Sequence, residues 1–431
     1  MRILFACVPA DGHFNPLTGL AVHLRDRGHD VAWYAGPSMR GRVERLGVAF
    51  RPYSRAREIT GENLPTLFPE RAKLHGPALI RFDGEQIFLA NTRGYFEDIR
   101  EIDAGWRFDV LFGDAAFFGA RPVKELLGKR VLMLEAGWES MTDDPLVPPP
   151  FLGLTPARSL ARRRAYRGLK VAMNVLVNRH LAAAYNAELT SVGATPVSWP
   201  VFEDAGRTAD VLFLNGVPGL AYPRMRRAPN TVFLGACLPY RDPGRPAPAP
   251  PQRGEGRRTV LVSQGTVDNH VADKLIVPTL KALAGSGFRL LVATGSADLT
   301  RRLRPLYAGP DVVIDDWIDF AATMPQVDVF VCNGGSGSLL AALRHGVPLV
   351  CAGTREGKND NNAHIAYHGL GIDLRTERPT ARAVRHAVAR VVVEPSFRRS
   401  AQRIRDEIAG YDPAALVDRH LAAFASGERA A

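Results

Sequence analysis

The stretch VDVFVCNGGSGSLLAALRHGVPLV, residues 327–350, decides the fold of this chain. The apolar run DVFVC leads directly into NGGSGS at 333–338, and a helical pattern follows. Glycine lets the backbone approach a ligand closely, and the unpaired amides at a helix N-terminus favour an anion. The stretch therefore predicts a strand, a turn and a helix that together bind a diphosphate. A tight turn that needs glycine only for its backbone conformation is the alternative.

A second loop of the same kind lies upstream, in TVLVSQGT at 259–266. It too joins an apolar run to glycine and hydroxyl side chains, and two such loops in one domain point to a nucleotide. The chain contains no GxxxxGK[ST] motif, which argues against a P-loop NTPase. The first βα loop, PADGHFNP at 9–16, is not GxGxxG, which argues against an NAD-dependent oxidoreductase. No HExxH or paired-cysteine pattern suggests a metal site.

Apolar runs alternate with helical patterns on both sides of these loops. Continuous apolar strands between helices predict an α/β chain with parallel, helix-covered sheets. We expect strands in the first half at 1–8, 29–36, 48–53, 109–115, 129–136, 210–216 and 231–237, and in the second at 259–266, 288–295, 312–317, 328–335 and 348–354. We expect helices at 16–27, 38–46, 120–127, 157–192, 271–285, 297–307, 336–345 and 380–425.

A segment rich in Pro, Gly and Arg, 239–258, interrupts this alternation and has the composition of an extended linker. The chain has 431 residues, too many for one ordinary core. We therefore expect two Rossmann-like domains, 1–238 and 259–409, with parallel sheets facing each other across a cleft.

Composition narrows the function further. The chain is 46% hydrophobic and 23% charged, and its net charge of +11 comes mainly from scattered arginines. The densest run, ARRRAYRGLK at 161–170, is typical of a solvated helix face, so we expect no nucleic-acid partner.

Cys7, Cys237, Cys332 and Cys351 are widely spaced and predict buried thiols. No apolar run approaches the ~18 residues of a membrane span, so we expect a cytoplasmic protein, a monomer or a weak homodimer.

The first βα loop holds a candidate catalytic residue, His13. The apolar run ILFACV ends just before it, and such loops lie at the carboxyl edge of a parallel sheet, where ligands bind. His13 could serve there as a general base, or it could be a loop histidine that forms a turn hydrogen bond.

Taken together, the motifs resemble the UDP-glycosyltransferase family of GT-B fold, and particularly its bacterial members that glycosylate small natural products. The resemblance covers nearly the whole chain in the right order. It is carried by G-H-x-N-P at 12–16, S-x-G-T at 263–266, D-W at 316–317, N-G-G-x-G-S at 333–338, A-L-x-x-G-V-P at 342–348 and N-A at 362–363.

This resemblance implies an inverting transfer of a sugar from a UDP- or dTDP-sugar to a hydroxyl of a hydrophobic small molecule, such as an aromatic or polyketide-type natural product. His13 would be the general base, and Asp114 would orient its imidazole. The alternative for Asp114 is the N-cap of the helix that follows. The last helix, within 410–431, would pack back onto the first domain.

The resemblance also implies a donor site on the second domain that needs neither a metal nor a cofactor. Trp317, with Ile318 beside it, would stack on the pyrimidine, although Trp317 could instead be a core residue. The diphosphate would lie between the two loops, contacted by Ser263, Gly265, Thr266, Gly335, Ser336, Gly337 and Ser338.

The chain departs from the family pattern at two places. Asn333 stands where the family often has histidine, and it could donate a hydrogen bond to phosphate without adding charge. Lys358 and Asn359 stand where the family usually carries the Asp-Gln pair that binds sugar hydroxyls. Glu356 or Asp360 could substitute with a register shift, and Lys358 could face the phosphates. Glucose and a deoxysugar on a dTDP carrier both stay open.

The acceptor pocket is harder to place from sequence. Aromatic residues of the first domain could line it, although each could equally belong to the core; these are Phe14, Phe82, Phe118 and Trp138, with Phe88 and Phe117 also available. Two rival functions remain: a non-catalytic GT-B auxiliary or binding protein, and a GT-B sugar-nucleotide epimerase.

Overall fold

The computed structural model describes residues 1–136, 142, 144–224, 227–241, 256–265 and 271–426. Within them the chain forms two sheets, of seven and six strands, in which every pair of neighbouring strands is parallel. The first sheet comprises β1 Arg2–Ala6, β2 Asp30–Ala35, β3 Ala49–Pro52, β4 Val110–Asp114, β5 Arg130–Glu135, β6 Val211–Asn215 and β7 Thr231–Gly235. The second comprises β8 Thr259–Ser263, β9 Arg289–Ala293, β10 Val312–Asp315, β11 Val329–Cys332, β12 Leu349–Cys351 and β13 Gly371–Asp373.

The order of the strands determines where ligands can bind. The first sheet has the order β3-β2-β1-β4-β5-β6-β7, and the second has the equivalent order β10-β9-β8-β11-β12-β13. In each sheet the order of connection reverses at one place, between β1 and β4 and between β8 and β11. A crevice opens outside the carboxyl ends of the strands at such a switch point. The α/β prediction of two Rossmann-like parallel sheets is confirmed.

Helices cover both sheets. They are α1 Asp11–Asp26, α2 Arg40–Arg45, α3 Leu64–Leu67, α4 Gly76–Asp83, α5 Thr92–Trp106, α6 Ala120–Leu127, α7 Leu160–Met173, α8 Arg179–Val192, α9 Asp204–Thr208, α10 Ile276–Leu283, α11 Ala297–Tyr307, α12 Phe320–Thr323, α13 Ser336–Leu343, α14 Lys358–Tyr367, α15 Ala381–Val393, α16 Pro395–Ala409 and α17 Pro413–Ala425. Two π-helical stretches extend them, Gly84–Leu89 after α4 and Asn174–Asn178 between α7 and α8.

The core explains the apolar strands of the sequence. All side chains of β4, β6, β8, β9 and β11 are buried, because helices pack on both faces of each sheet. The four cysteines are buried, as predicted. In the part of the chain that the structure describes, no helix is long and apolar enough to cross a membrane.

The structure differs from the predicted elements in several places. α1 begins at Asp11, so the predicted start at Pro16 is wrong: Pro16 is tolerated inside the helix, and Asp11 supplies the acidic first turn. Two segments to which no element was assigned from the sequence are also ordered: 64–106 forms α3 to α5, and 358–373 forms α14 and β13. The predicted helical region at the C-terminus is divided into α15, α16 and α17. Of the expected linker, 242–255 lies outside the described residues.

The last two helices connect the halves of the chain. α16 contacts both α13 and β7. α17 contacts α1, and its residues Val417, Leu421 and Phe424 join the hydrophobic cluster that covers one face of the first sheet.

Candidate active site

The first switch point holds a histidine–aspartate pair. His13 lies in the first turn of α1, directly after β1, and Asp114 is the last residue of the neighbouring strand β4. His13 Nδ1 lies 2.9 Å from Asp114 Oδ1. The histidine side chain is 30% exposed, whereas that of the aspartate is 1% exposed. No described residue hydrogen-bonds to Nε2, so the second ring nitrogen is available to a ligand.

Asp114 is fixed by the backbone around it. Its carboxylate accepts hydrogen bonds from the amides of Val8, at 3.0 Å, and Ala116, at 2.8 Å. The alternative role as a helix N-cap is wrong, because α6 begins at Ala120 and its N-cap is Gly119. The carboxylate can therefore orient the imidazole with little freedom of its own, and it selects the tautomer that carries its proton on Nδ1.

The environment of His13 acts on its pKa in two directions. Burial lowers the pKa, but the charge and the hydrogen bond of Asp114 raise it, and the charge of Glu135 at the end of β5 adds to that increase. The net direction is upward from the ordinary value. A base with a raised pKa binds a proton more strongly, so the pair is suited to accepting a proton near neutral pH.

The aromatic residues near this pair divide into core and surface. Phe88 lies beside His13, with ring centroids 6.5 Å apart in an edge-on arrangement. Phe82 is half-buried and packs edge-on against Phe68. Phe14 is buried against Trp33, and Phe118 is buried against Tyr185. Phe117 is also fully buried. The assignment of Phe14 and Phe118 to the acceptor pocket is therefore wrong, because both belong to the hydrophobic core.

The second switch point holds the two glycine-containing loops. Ser263 ends β8 directly opposite Cys332, the last residue of β11, so the loops that follow lie side by side. Ser263 Oγ accepts the amide of Gly265, which has a φ of +76°. Asn333 Nδ2 donates to the carbonyl of Gln264, and Asn333 Oδ1 accepts the amide of Gly335. Asn333 therefore joins the two loops and uses one of its two amide protons to do so, and its hydrogen bond to phosphate stays a prediction.

The first turn of α13 remains open. Gly335, Ser336 and Ser338 are half-buried and Gly337 is exposed, and no side chain caps the helix. Its first amides are the donors that a helix leaves unpaired, and the helix dipole adds a positive potential there. This turn is open to an anion, and its binding of a diphosphate stays a prediction.

Trp317 follows β10 at the same edge of the sheet. Its side chain is 57% exposed, which is rare for tryptophan and removes the alternative of a core residue. Ile318 packs below it against the cluster that contains Phe330. The indole thus presents a flat apolar surface near the loops.

Lys358 and Glu356 form a pair at the start of α14. Lys358 Nζ lies 2.8 Å from Glu356 Oε2, and the lysine side chain is buried while the glutamate is exposed. Glu356 has a φ of +56°, which is strained for a residue other than glycine. The charge of Glu356 also makes a small contribution to the raised pKa of Arg71, whose main partner is Asp83.

Asp360 and Asn359 bind the protein backbone. Asp360 accepts the amides of Phe151 and Gly153, and Asn359 Nδ2 donates to the carbonyl of Phe151. Phe151 has a φ of +65° and Gly153 a φ of +59°. These bonds hold a loop of the first half in place, so Asp360 is removed as a candidate for binding sugar hydroxyls.

Two predicted site residues, Thr266 and Trp138, lie outside the described residues. Within the part of the chain that is described, no group of three or more His, Cys, Asp and Glu side chains could hold a metal ion.

Comparisons with known proteins identify the family of this chain. Residues 297–423 match the family described as "Erythromycin biosynthesis protein CIII-like, C-terminal domain". The chain is 35% identical to 4'-demethylrebeccamycin synthase of Lentzea aerocolonigenes over 97% of both chains. The chain belongs to the UDP-glycosyltransferase family of GT-B fold.

Further likenesses agree with this glycosyltransferase assignment. UDP-glycosyltransferase 2 of Phaeomoniella chlamydospora is 28% identical, over 95% of this chain and 93% of its own. The crystal structure of CalG4, the calicheamicin glycosyltransferase, superposes with a TM-score of 0.74 over 98% of this chain and 97% of its own, at 18% identity. At that identity the superposition supports the fold alone.

The glycosyltransferase contains one site residue whose role sequence reasoning missed, Asn362. It is fully buried and donates to the carbonyls of Gly353, at 3.0 Å, and Asn333, at 3.5 Å. It also lies directly under Gly334, and so it shapes the glycine loop from below. The sequence does contain three asparagines in this region, at 359, 361 and 362. No sequence pattern, however, indicates which asparagine will be buried and support a neighbouring loop.

Replacing Gly334 should test this support. Gly334 has a φ of +93°, and a Cβ there would lie 2.0 Å from Asn362 Oδ1. We expect Gly334→Ala to destabilise the fold by about 2–3 kcal/mol, through backbone strain and the clash, measured as a lower midpoint in thermal denaturation. Gly337→Ala is the matched control in the same motif, because no atom lies within 4 Å of its Cβ position. Equal midpoints for the two variants would show that neither the positive φ nor the contact with Asn362 limits stability at this position.

Proposed function

We propose that this protein is an inverting glycosyltransferase that transfers a sugar from a UDP- or dTDP-sugar to a hydroxyl of a hydrophobic small molecule. The observation that carries the proposal is the His13–Asp114 pair at the first switch point. Its Nδ1 is held by a buried carboxylate at 2.9 Å, and its Nε2 is left for a substrate.

In this mechanism the acceptor hydroxyl donates its proton to His13 Nε2 while its oxygen attacks the anomeric carbon. The bond between that carbon and the diphosphate oxygen breaks, and the nucleoside diphosphate leaves with the electron pair. Attack from the face opposite the leaving group inverts the anomeric carbon. Asp114 stabilises the imidazolium that forms, because its negative charge favours the protonated ring.

The leaving group would be stabilised on the second half of the chain. The open first turn of α13 and the loop from Ser263 to Gly265 offer amides and hydroxyls to the diphosphate, and the helix dipole favours its charge. We propose that these groups suffice without a metal ion or other cofactor, so EDTA should leave nucleotide binding unchanged.

The donor sugar would lie near the start of α14, beside Lys358 and Glu356, and the acceptor near Phe88. Asp360 and Asn359 are occupied by the loop at 151–153. Positions 359 and 360 therefore offer few groups that could bind sugar hydroxyls. A deoxysugar has fewer hydroxyls than glucose, so this favours a dTDP-deoxysugar over UDP-glucose as the donor. The family and the aromatic ring of Phe88 beside His13 support a hydrophobic acceptor.

Calorimetric titration with UDP, dTDP and GDP, with and without EDTA, tests the donor half of the proposal. We expect binding of UDP or dTDP that EDTA does not alter. The matching sugar nucleotides are then incubated with a panel of phenolic and polyketide acceptors, and the anomeric configuration of any product is read by NMR. Failure of all three nucleotides to bind would favour a non-catalytic auxiliary protein of the same fold.

Trp317→Ala tests the base-stacking surface. Stacking of a base on an aromatic side chain is worth about 1–3 kcal/mol, so we expect the affinity for the bound nucleotide to fall roughly tenfold to a hundredfold. Leu306→Ala is the control, because Leu306 is also a large exposed apolar residue, at 72% against 57%, and belongs to the neighbouring helix α11. An unchanged affinity in Trp317→Ala would mean that the indole does not contact the base.

A further inference from the structure

One long helix stands out from the rest of the surface. α7, the π-helical stretch Asn174–Asn178 and α8 follow one another without a break, from Leu160 to Val192. The second half of this helix is anchored, because Val177, Leu181, Tyr185 and Leu189 are buried in one hydrophobic cluster. In α7, by contrast, Tyr166 is the one buried residue. Residues 160–176, here called the overhanging helix, are therefore largely exposed.

One exposed side of the overhanging helix is largely apolar. It presents five large aliphatic side chains that are between 41% and 71% exposed: Leu160, Leu169, Val171, Val175 and Leu176. At about 100° per residue they fall within roughly half of the helix circumference, together with Ala161, Ala165, Gly168 and Ala172 and one charged residue, Arg164. Six of the twelve large apolar residues that are exposed in the described chain lie between 152 and 176. A patch this concentrated is typical of an interaction site.

The charged residues of the overhanging helix itself have one sign. From 145 to 187 the sequence contains no Asp or Glu but six arginines and Lys170. Arg163, Arg164 and Arg167 are exposed, and no carboxylate of the described residues pairs with them. The overhanging helix thus combines exposed aliphatic side chains with three exposed arginines that pair with no carboxylate of the described residues, whereas Lys170 donates to the carbonyls of Thr142 and Asp144.

We propose that the overhanging helix docks the protein on an anionic lipid surface, lying in the plane of the headgroups. The aliphatic side chains would enter the acyl boundary, and the arginines, whose stems can lie along apolar surface, would reach lipid phosphates. Charge argues against a second copy as the occupant, because two such helices would place the same arginines against each other in a chain of net charge +11. The geometry is that of a helix lying on a membrane, not crossing it.

Sedimentation with vesicles tests the proposal on the full chain. We expect binding to vesicles of phosphatidylglycerol and phosphatidylcholine, weakened by high salt, and no binding to phosphatidylcholine alone. Each arginine near an anionic surface contributes roughly fivefold to partitioning, so Arg163→Gln/Arg164→Gln/Arg167→Gln should lose about a hundredfold. The control replaces three exposed arginines on α11, α15 and α16, as Arg302→Gln/Arg382→Gln/Arg399→Gln, and should bind nearly as well as the unmodified protein.

A second variant, Leu169→Ser/Leu176→Ser, tests the apolar contribution and should also reduce binding. Circular dichroism and turnover with a water-soluble acceptor check that both variants fold. Absence of binding to the anionic vesicles, or equal losses in the two arginine triples, would overturn the proposal. So would concentration-dependent self-association without lipid that Leu169→Ser/Leu176→Ser abolishes, since a second copy would then cover the overhanging helix.

Discussion

Replacing His13 with alanine is expected to reduce kcat by roughly 10²–10⁴-fold, the range that general-base catalysis contributes. The structure gives the reason: Nδ1 is bound to a buried carboxylate, so Nε2 is the nitrogen that can take the acceptor proton. The nucleotide loops follow β8 and β11 of the other sheet, so the dissociation constant for the nucleotide should change little. Turnover under saturating donor and acceptor, together with calorimetric titration of nucleotide, measures both quantities.

The chain contains a matched control for this experiment. His23 belongs to the same helix and also binds an aspartate, with Nε2 3.0 Å from Asp418 Oδ2 of α17. His23→Ala removes a histidine of similar exposure, 28% against 30%, whose aspartate is more exposed than Asp114. It does not touch the switch point, so its kcat should be close to that of the unmodified enzyme. A His13→Ala variant that turns over normally, or one that loses nucleotide binding instead, would exclude the role of general base.

Much of the fold can be predicted from local patterns in the sequence. Continuous apolar strands such as 210–216 and 328–332 require cover on both faces, and that requirement leads to a parallel sheet between helices. The glycine loop after β11 could be located for a similar reason, since Gly334 needs a positive φ that other residues avoid. These features are local, and each has a single physical cause.

Other features depend on contacts between distant parts of the chain, which spacing does not encode. Phe14, Phe88 and Phe118 have the same local character, but of these three rings only that of Phe88 packs against the His13 imidazole. Asn333 binds the loop that follows β8, and Asp360 holds a loop some two hundred residues earlier. A polar residue near a binding motif can support the protein or contact the ligand, and only the three-dimensional neighbours distinguish the two.

Asp114→Asn is expected to lower kcat by roughly 10²–10⁴-fold while the nucleotide still binds. An asparagine there can turn its amide group toward His13 Nδ1. The histidine would then carry its proton on Nε2 and could not accept another from the acceptor hydroxyl. Asp98→Asn is the control, because Asp98 is also a buried carboxylate that accepts backbone amides, from Ser54 and Arg55, but has no contact with His13. Both variants should lower the denaturation midpoint, and only Asp114→Asn should lower kcat.

The pH profile separates an orienting role from a purely structural one. His13 must be neutral to act as a base, so kcat/KM should fall as the pH drops through the pKa of His13 in the free enzyme. Asp114 raises that pKa through its charge and its hydrogen bond, against the opposing effect of burial. Asp114→Asn removes the negative charge that raises the pKa of His13, whereas burial still lowers that pKa. The acid limb of the profile should therefore move to lower pH, while the plateau of kcat/KM falls. A lower plateau with an unmoved acid limb would mean that the limb reports another group, and that Asp114 acts on turnover only through the stability of the fold.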